Sequence, residues 1–339
     1  MNRRTFLFGS LAVCLTAGCR TSSEAVLNFY NWSNFIAPDT IKNFEKETGI
    51  RVNYEEFSSA DVMYAKLKIG VTGYDLVVAP GYMVRRMIRQ DLLSKITPKV
   101  ESDILLDILR TPPYDPDLTY SVPYLWGTTG IAYNKERVQG TPDSWSLLWD
   151  PKYERHITML DEKRDSIAAA LFKLGLDPNT TDSGELAEAK AALLKQRPLV
   201  RRYTSDFTDD LIREETWVAL GWSGDVAQAQ ASNSKVEFYI PKEGSFLFAD
   251  NLCIPKGAPH PKNARLFIDY FLRPEVCYKV SNATGYANPV TEAKKLVRPE
   301  LIDNSLGYPS PRQLERLHYQ EDLGSDEMAW DRLWEEVKR

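Results

Sequence analysis

The sequence predicts an α/β fold divided into two discontinuous lobes, and three observations carry that expectation. From Val26 onward, short apolar runs alternate with amphipathic stretches, the order that builds sheets covered by helices. Two long extended runs, residues 119–134 and 246–254, break the alternation, as strands do when they carry a chain out of one lobe and back. The length, 339 residues with 43% hydrophobic and 26% charged side chains, suits two domains at roughly 150 residues each.

Residues 26–30 read as a short apolar strand. Pro38 opens a helix that runs to Glu47 with Ile41 and Phe44 on its inner face, and Gly49 stops it by tolerating left-handed backbone. Residues 50–56 alternate as a strand and 60–68 are amphipathic helix. Tyr74-Asp75-Leu76-Val77-Val78-Ala79 reads as a buried parallel strand. Ligands of such layers bind beyond the carboxyl ends of strands, here Asn31-Trp32-Ser33-Asn34-Phe35 and Pro80-Gly81-Tyr82. Strand and helix alternate again over 157–241, and helices return at 264–272 and 276–281. One lobe is therefore expected to comprise residues 19–131 with 250–294, the other 132–249 with 295–339.

Composition excludes several classes of function. The formal charge is −5, from 42 basic and 47 acidic residues, so binding to nucleic acid through phosphate neutralisation is not expected. The three histidines, His156, His260 and His318, are far apart in sequence, which deprives zinc enzymes and Ser-His or Cys-His catalysts of their usual parts. No apolar run reaches the ~18 residues of a membrane span. Aromatic side chains, by contrast, are abundant: 17 Tyr, 13 Phe and 8 Trp.

The start of the chain is an address. Arg3 and Arg4 precede a largely apolar run over residues 5–17, which is too short to span and fits a secretory signal. Its end, Leu15-Thr16-Ala17-Gly18-Cys19, resembles a lipobox, so residues 1–18 are expected to be removed and Cys19 lipidated. Arg3-Arg4-Thr5-Phe6-Leu7 resembles a twin-arginine export signal without its full consensus. Removing residues 1–18 takes away two arginines and no acids, moving the charge from −5 to −7. The membrane is then met only through the lipid, at the outer face of the cytoplasmic membrane in the periplasm. Cys14 leaves with the signal. Cys253 and Cys277 remain, either as a disulfide that an exported compartment permits or as two buried thiols.

Several stretches, taken in order, resemble one family. They are Phe29-Tyr30-Asn31-Trp32-Ser33, Phe44-Glu45-Lys46-Glu47-Thr48-Gly49-Ile50, Tyr74-Asp75-Leu76-Val77-Val78 and Pro123-Tyr124-Leu125-Trp126-Gly127. Gly221-Trp222-Ser223-Gly224-Asp225, Pro241-Lys242-Glu243-Gly244 and Leu272-Arg273-Pro274 continue the series. Across essentially the whole mature chain the sequence resembles the spermidine/putrescine-binding proteins of ABC importers. The resemblance implies a two-lobed periplasmic-binding-protein fold of the type II kind, each lobe a mixed sheet flanked by helices, with ligand in the interlobe cleft. It implies a monomeric receptor without cofactor, metal or catalysis, whose partners are a polyamine and the permease subunits.

The family's site residues carry over by position. Trp32 and Ser33 fall on its NWS or NWT stretch, with Asn34 where an acid is usual and Phe35 where a tyrosine is usual. Tyr82 matches an aromatic after the third strand, and Pro80 replaces a serine near it. Glu162 and Asp165 fall on the acids of an LDDxRE-like stretch, and Ser205 matches a serine of its segment. Trp222 matches the family tryptophan and Asp225 the putrescine-preferring branch. Phe248 and Asp250 match an aromatic-x-Asp motif, Tyr286 a GY tyrosine and Gln320 a late glutamine of spermidine binders.

These residue types suit an alkyl polyamine. Aromatic faces bury its methylenes, at roughly 0.8 kcal/mol each, and attract its ammonium groups by about 0.5–2 kcal/mol. A buried unpaired ammonium would cost several kcal/mol, so carboxylates such as Asp165, Asp225 and Asp250 are needed as charge partners, with Ser33, Ser205 and Gln320 as neutral acceptors. Each residue also has a plain structural reading: Trp32 as packing, Asp225 as a helix cap, residues 161–165 as a solvated charge run. Trp330 and Trp334, four apart on a charged helix, read as packing against a lobe. A carbohydrate-active enzyme would need an acidic pair with divided acid and base roles, and none is singled out. A receptor for another small cationic or zwitterionic amine, such as an amino acid derivative, is the alternative that Asn34 and Phe35 leave open.

Overall fold

The structure, a computed structural model, describes residues 25–57, 59–70, 73–303 and 306–339. The signal of residues 1–18 and the lipidation site Cys19 lie outside the described residues.

The first lobe is built on β1 (Val26–Trp32), α1 (Thr40–Thr48), β2 (Arg51–Phe57), α2 (Ala60–Lys68), β3 (Leu76–Pro80) and α3 (Gly81–Arg89). Its first strand pairs in parallel with β2 on one side and β3 on the other. Period-2 alternation sorts the side chains to two faces. Leu27, Phe29, Leu76 and Val78 share a core with Phe44 of α1, whereas Tyr30, Val77 and Ala79 join Met63 of α2 and Met83 and Met87 of α3. Helix α1 ends as the sequence predicts: Gly49 has φ +72° and donates its N–H to Glu45 O at 2.9 Å.

The first extended run is β4 (Ser121–Asn134). The second lobe follows as β5 (Ile157–Met159), α4 (Lys163–Leu174), α5 (Ser183–Gln196), β6 (Val200–Tyr203), α6 (Thr208–Ile212), β7 (Val218–Trp222), α7 (Ser223–Ser232) and β8 (Val236–Tyr239). The second extended run is β9 (Ser245–Cys253). Strand order is β2-β1-β3-β9-β4-β7-β5-β6, with β8 on β4 and a short late strand on β9. The two long runs are thus neighbours. Residues 121–128 of β4 pair with β9, and residues 129–133 pair with β7, so one strand belongs to both lobes. Helices α8 (Pro261–Phe271) and α9 (Pro274–Thr284) return to the first lobe, where Phe267 lies 4.9 Å from Phe29 and 5.1 Å from Phe44, ring to ring. The chain closes with α10 (Thr291–Lys294), α11 (Pro299–Asp303), α12 (Pro311–Leu314), β10 (Leu317–Tyr319) and α13 (Glu327–Lys338).

Two smaller questions are answered here. Cys253 on β9 and Cys277 on α9 are free and buried, the thiol outcome of the two left open. Trp330 and Trp334 are buried in α13 against the second lobe, where Trp330 Nε1 donates to Thr180 O at 3.1 Å and Trp334 meets Tyr203 edge-on.

Asp75 explains why an acid precedes a buried strand. It is fully buried and accepts from the Asn28 N–H at 2.8 Å and the His260 N–H at 2.5 Å, tying β1 to the start of α8. Asp75→Ala leaves those backbone donors unmet in the interior and should lower the unfolding free energy by about 2 kcal/mol or more. An unchanged urea midpoint would show that the tie is dispensable.

Candidate functional site

The sequence-predicted residues converge where strands end and where β4 and β9 cross between the lobes. Strand β1 runs on to Trp32, which pairs with Phe57 and packs its indole 4.5 Å from that ring. The turn that follows is held by Phe35 O, which accepts from Tyr124 Oη at 2.7 Å and Asn31 Nδ2 at 3.3 Å. Phe35 is thereby aimed at Tyr286, 4.9 Å away edge-to-face. Phe248, two residues before Asp250 on β9 and hence on the same face, meets Tyr286 at 6.0 Å.

Two carboxylates lie in this aromatic setting. Asp250 is buried in mid-sheet between β3 and β4, and Trp32 Nε1 donates to its Oδ1 at 3.1 Å. Burial pushes its carboxyl up to about 7, against the opposing effect of the Trp32 hydrogen bond. Asp225 sits in the first turn of α7; Trp222 occupies the cap position, so Asp225 is not a capping residue. Burial pushes Asp225 to about 7 as well, the Tyr286 hydroxyl opposing the rise and the Asp206 charge adding to it.

A second group forms around Asp165, buried in the first turn of α4. Thr129 Oγ1 donates to its Oδ1 at 2.6 Å, and the side chains of Gln320 and Trp222 nearby also favour its charged form. Burial raises its pKa nonetheless. Glu162, just ahead of α4, is pushed to about 8 by burial and then by the charges of Asp165, Asp61 and Asp161. The stretch 161–165 is therefore not a uniformly solvated run. Tyr82 stands beside this group, with the Arg164 guanidinium 5.7 Å from its ring centre. Trp222 links the two groups, since it pairs opposite Thr129, whose hydroxyl meets Asp165, and packs against both core clusters.

Ser33 and Asn34 are exposed, and Asn34 adopts left-handed backbone at φ +57°. Ser205 is half-buried one residue before Asp206. Among the described residues, no hydrogen bond of these three reaches Asp165, Asp225 or Asp250. Two features escaped the sequence reading. Thr129 lies in the long run of β4 and becomes a site residue only because it pairs opposite Trp222. Gly224 lies in a quoted motif, but its role depends on a distant ring: a Cβ there would fall 2.4 Å from Tyr286. Two surface hollows of 280 and 400 Å³, both bordered by Arg273, contain none of the predicted residues. Among the described residues, no three His, Cys, Asp or Glu side chains are grouped to hold a metal ion.

The family model for bacterial extracellular solute-binding proteins matches residues 39–304. The spermidine/putrescine-binding periplasmic protein of Salmonella typhimurium is 34% identical over 342 residues, which covers 99% of this chain and 98% of that protein. The spermidine/putrescine ABC transporter substrate-binding protein of Streptococcus pneumoniae, solved with calcium and HEPES, is 29% identical with a TM-score of 0.82, covering 93% of this chain and 99% of that one. A lipoprotein of Treponema pallidum is 31% identical with a TM-score of 0.85, covering 92% and 99%.

The raised carboxyls have a consequence for stability. An acid whose pKa moves from about 4 unfolded to about 7 folded binds more protons in the folded state across that window, so stability falls as pH rises through it. Asp225, Asp250 and Glu162 act in the same direction. Carboxyls held low, such as Glu327, act below that window. Urea unfolding of ligand-free protein should therefore show declining stability from pH 5 to pH 8, with a shallower decline in Asp250→Asn. Equal slopes in the two proteins would contradict the assignment of a buried titrating Asp250.

Proposed function

The chain belongs to the bacterial extracellular solute-binding proteins, and from that premise we propose that it captures a polyamine, putrescine or spermidine, outside the cytoplasmic membrane and delivers it to an ABC permease. The observation that carries this reading is the pair of carboxylate groups beside aromatic rings, Asp250 buried and Asp225 half-buried. Asp250 accepts from an indole N–H, and Asp225 has the Tyr286 phenol beside it, both neutral groups. A neutral donor stabilises a buried carboxylate far less than a cation does. An ammonium supplies that cation, and the rings of Trp32, Phe35, Phe248 and Tyr286 supply walls for the methylenes. Asp165, with Thr129, Trp222 and Gln320 around it, suits a second ammonium of the same ligand.

The roles divide accordingly. Asp165, Asp225 and Asp250 pair charge. Glu162 adds negative potential beside Asp165, and Tyr82 covers that side. Ser33, Asn34 and Ser205 act as rim acceptors at the edge of the cleft between the lobes, residues 19–131 with 250–294 and 132–249 with 295–339. The protein acts without catalysis, as a monomer held to the membrane by a lipid on Cys19. The relatives' names support the ligand class, and the lipobox-like sequence supports the anchor. A zwitterionic ligand would need a free cation for its carboxylate. The nearest arginine, Arg164, already donates its terminal nitrogens to Glu321 O and Asn179 Oδ1 at 2.9 and 2.8 Å.

Calorimetric titration of the processed protein with putrescine, spermidine, spermine and 4-aminobutyrate tests the reading. At least one polyamine should bind at micromolar or better, about −8.2 kcal/mol, and 4-aminobutyrate should not. Asp250→Asn and Trp222→Ala should each weaken binding at least tenfold, about 1.4 kcal/mol. Tighter binding of 4-aminobutyrate than of any polyamine would replace the ligand class, and wild-type affinity in both variants would overturn the site.

A further inference from the structure

A second set of charges joins the lobes outside the ligand-pairing carboxylates, and it centres on Glu327, the first residue of α13. Arg86 on α3, in the first lobe, donates Nη2 to Glu327 Oε2 at 2.8 Å. Lys163 on α4, in the second lobe, places Nζ 2.8 Å from Glu327 Oε1, and Arg164 Nη1 lies 3.9 Å from Oε2. Lys163 also faces Asp61 on α2 of the first lobe at 3.8 Å and Asp331 of α13. The segment leading to Glu327 is anchored on the first lobe by Asp322, whose carboxylate takes Arg86 Nε at 3.1 Å and Arg89 Nη1 at 2.8 Å. The helix that follows is anchored on the second lobe through Trp330 and Trp334.

From this arrangement we infer that residues 320–327 form a strap across the mouth of the cleft, in which Glu327 is a latch shared by cations of both lobes and sets how long bound ligand is retained. Glu327 and Arg86 side chains are only 12% and 13% exposed, so their attraction is less screened than that of a surface pair. Burial works against the Glu327 charge, yet Lys163, Arg164 and Arg86 hold its carboxyl below the usual range. Opening the cleft must draw Arg86 away from Lys163, and Glu327 can follow only one of them. The latch is also continuous with the ligand site. Lys163 and Arg164 lie between Glu162 and Asp165 in sequence, and Arg164 Nη1 donates to Glu321 O near the head of the strap at 2.9 Å. The latch is assembled whenever the lobes close, here without a ligand, and it opposes opening without touching the ligand.

The inference rests on the receptor reading above for its kinetic readout, and a second readout needs no ligand. Stopped-flow dissociation of putrescine and spermidine would be measured on the processed protein and on Glu327→Gln, Arg86→Met and the double variant, each checked for wild-type circular dichroism. Glu327→Gln should speed dissociation about tenfold and change association less than twofold. The double variant should dissociate no faster than the faster single one, because both act through one contact. Dye labels on R85C and K195C, one on each lobe, should report a longer inter-lobe distance in ligand-free Glu327→Gln than in its parent. A wild-type dissociation rate in a folded Glu327→Gln overturns the latch. If no polyamine binds the wild type, the receptor reading fails instead, and the label distance decides the latch: a distribution unchanged by Glu327→Gln overturns it.

Discussion

A carboxylate withdrawn from water without a cation to meet it costs several kcal/mol, and much of this structure can be understood as an arrangement that tolerates that cost. Asp250 lies in the centre of a sheet, between β3 and β4, where its side chain has little access to water. Asp225 lies in the first turn of α7, where the helix amino end favours negative charge, yet burial still drives its carboxyl up to about 7. The neutral donors Trp32 and Tyr286 hold these groups in place without cancelling their charge. In the reading proposed above, an incoming ammonium completes what the fold leaves incomplete.

The same constraint explains the close packing around the site. Aromatic rings can line a cleft between two lobes only if the backbones behind them approach closely. Gly224 provides that approach under Tyr286, and Gly127 on β4 lies where a Cβ would come 3.0 Å from Phe248 and 3.3 Å from Tyr286. Residues 121–134 and 245–253 carry both the covalent link between lobes and several of the side chains of the site, so hinge and site share a backbone. The charge network at Glu327 adds a connection at the mouth of the cleft, away from that hinge.

Much of this was legible in the sequence where the signal was local. The alternation of 26–79 into strands and helices, the stop at Gly49 and the two crossing strands are all periodicity or single-residue effects, and each is found within a few residues of its expected bounds. The resemblance assembled Trp32, Asp165, Trp222, Asp225, Phe248, Asp250 and Tyr286, which occupy one region. What was not legible depends on contacts between distant segments. Thr129 needs the register of β4 against β7 to be recognised, and Asp75 in a quoted marker turns out to hold β1 to α8. The strap could not be read at all, because its cations and its acids are more than 150 residues apart in the chain.

The central claim is that ligand charge is met by carboxyls that are partly protonated while the cleft is empty. Calorimetry of putrescine binding at pH 7 in two buffers of different ionisation enthalpy measures the protons exchanged directly. Protons should be released on binding, and affinity should weaken from pH 8 to pH 6. Binding with no proton exchange and a flat pH profile would contradict the account.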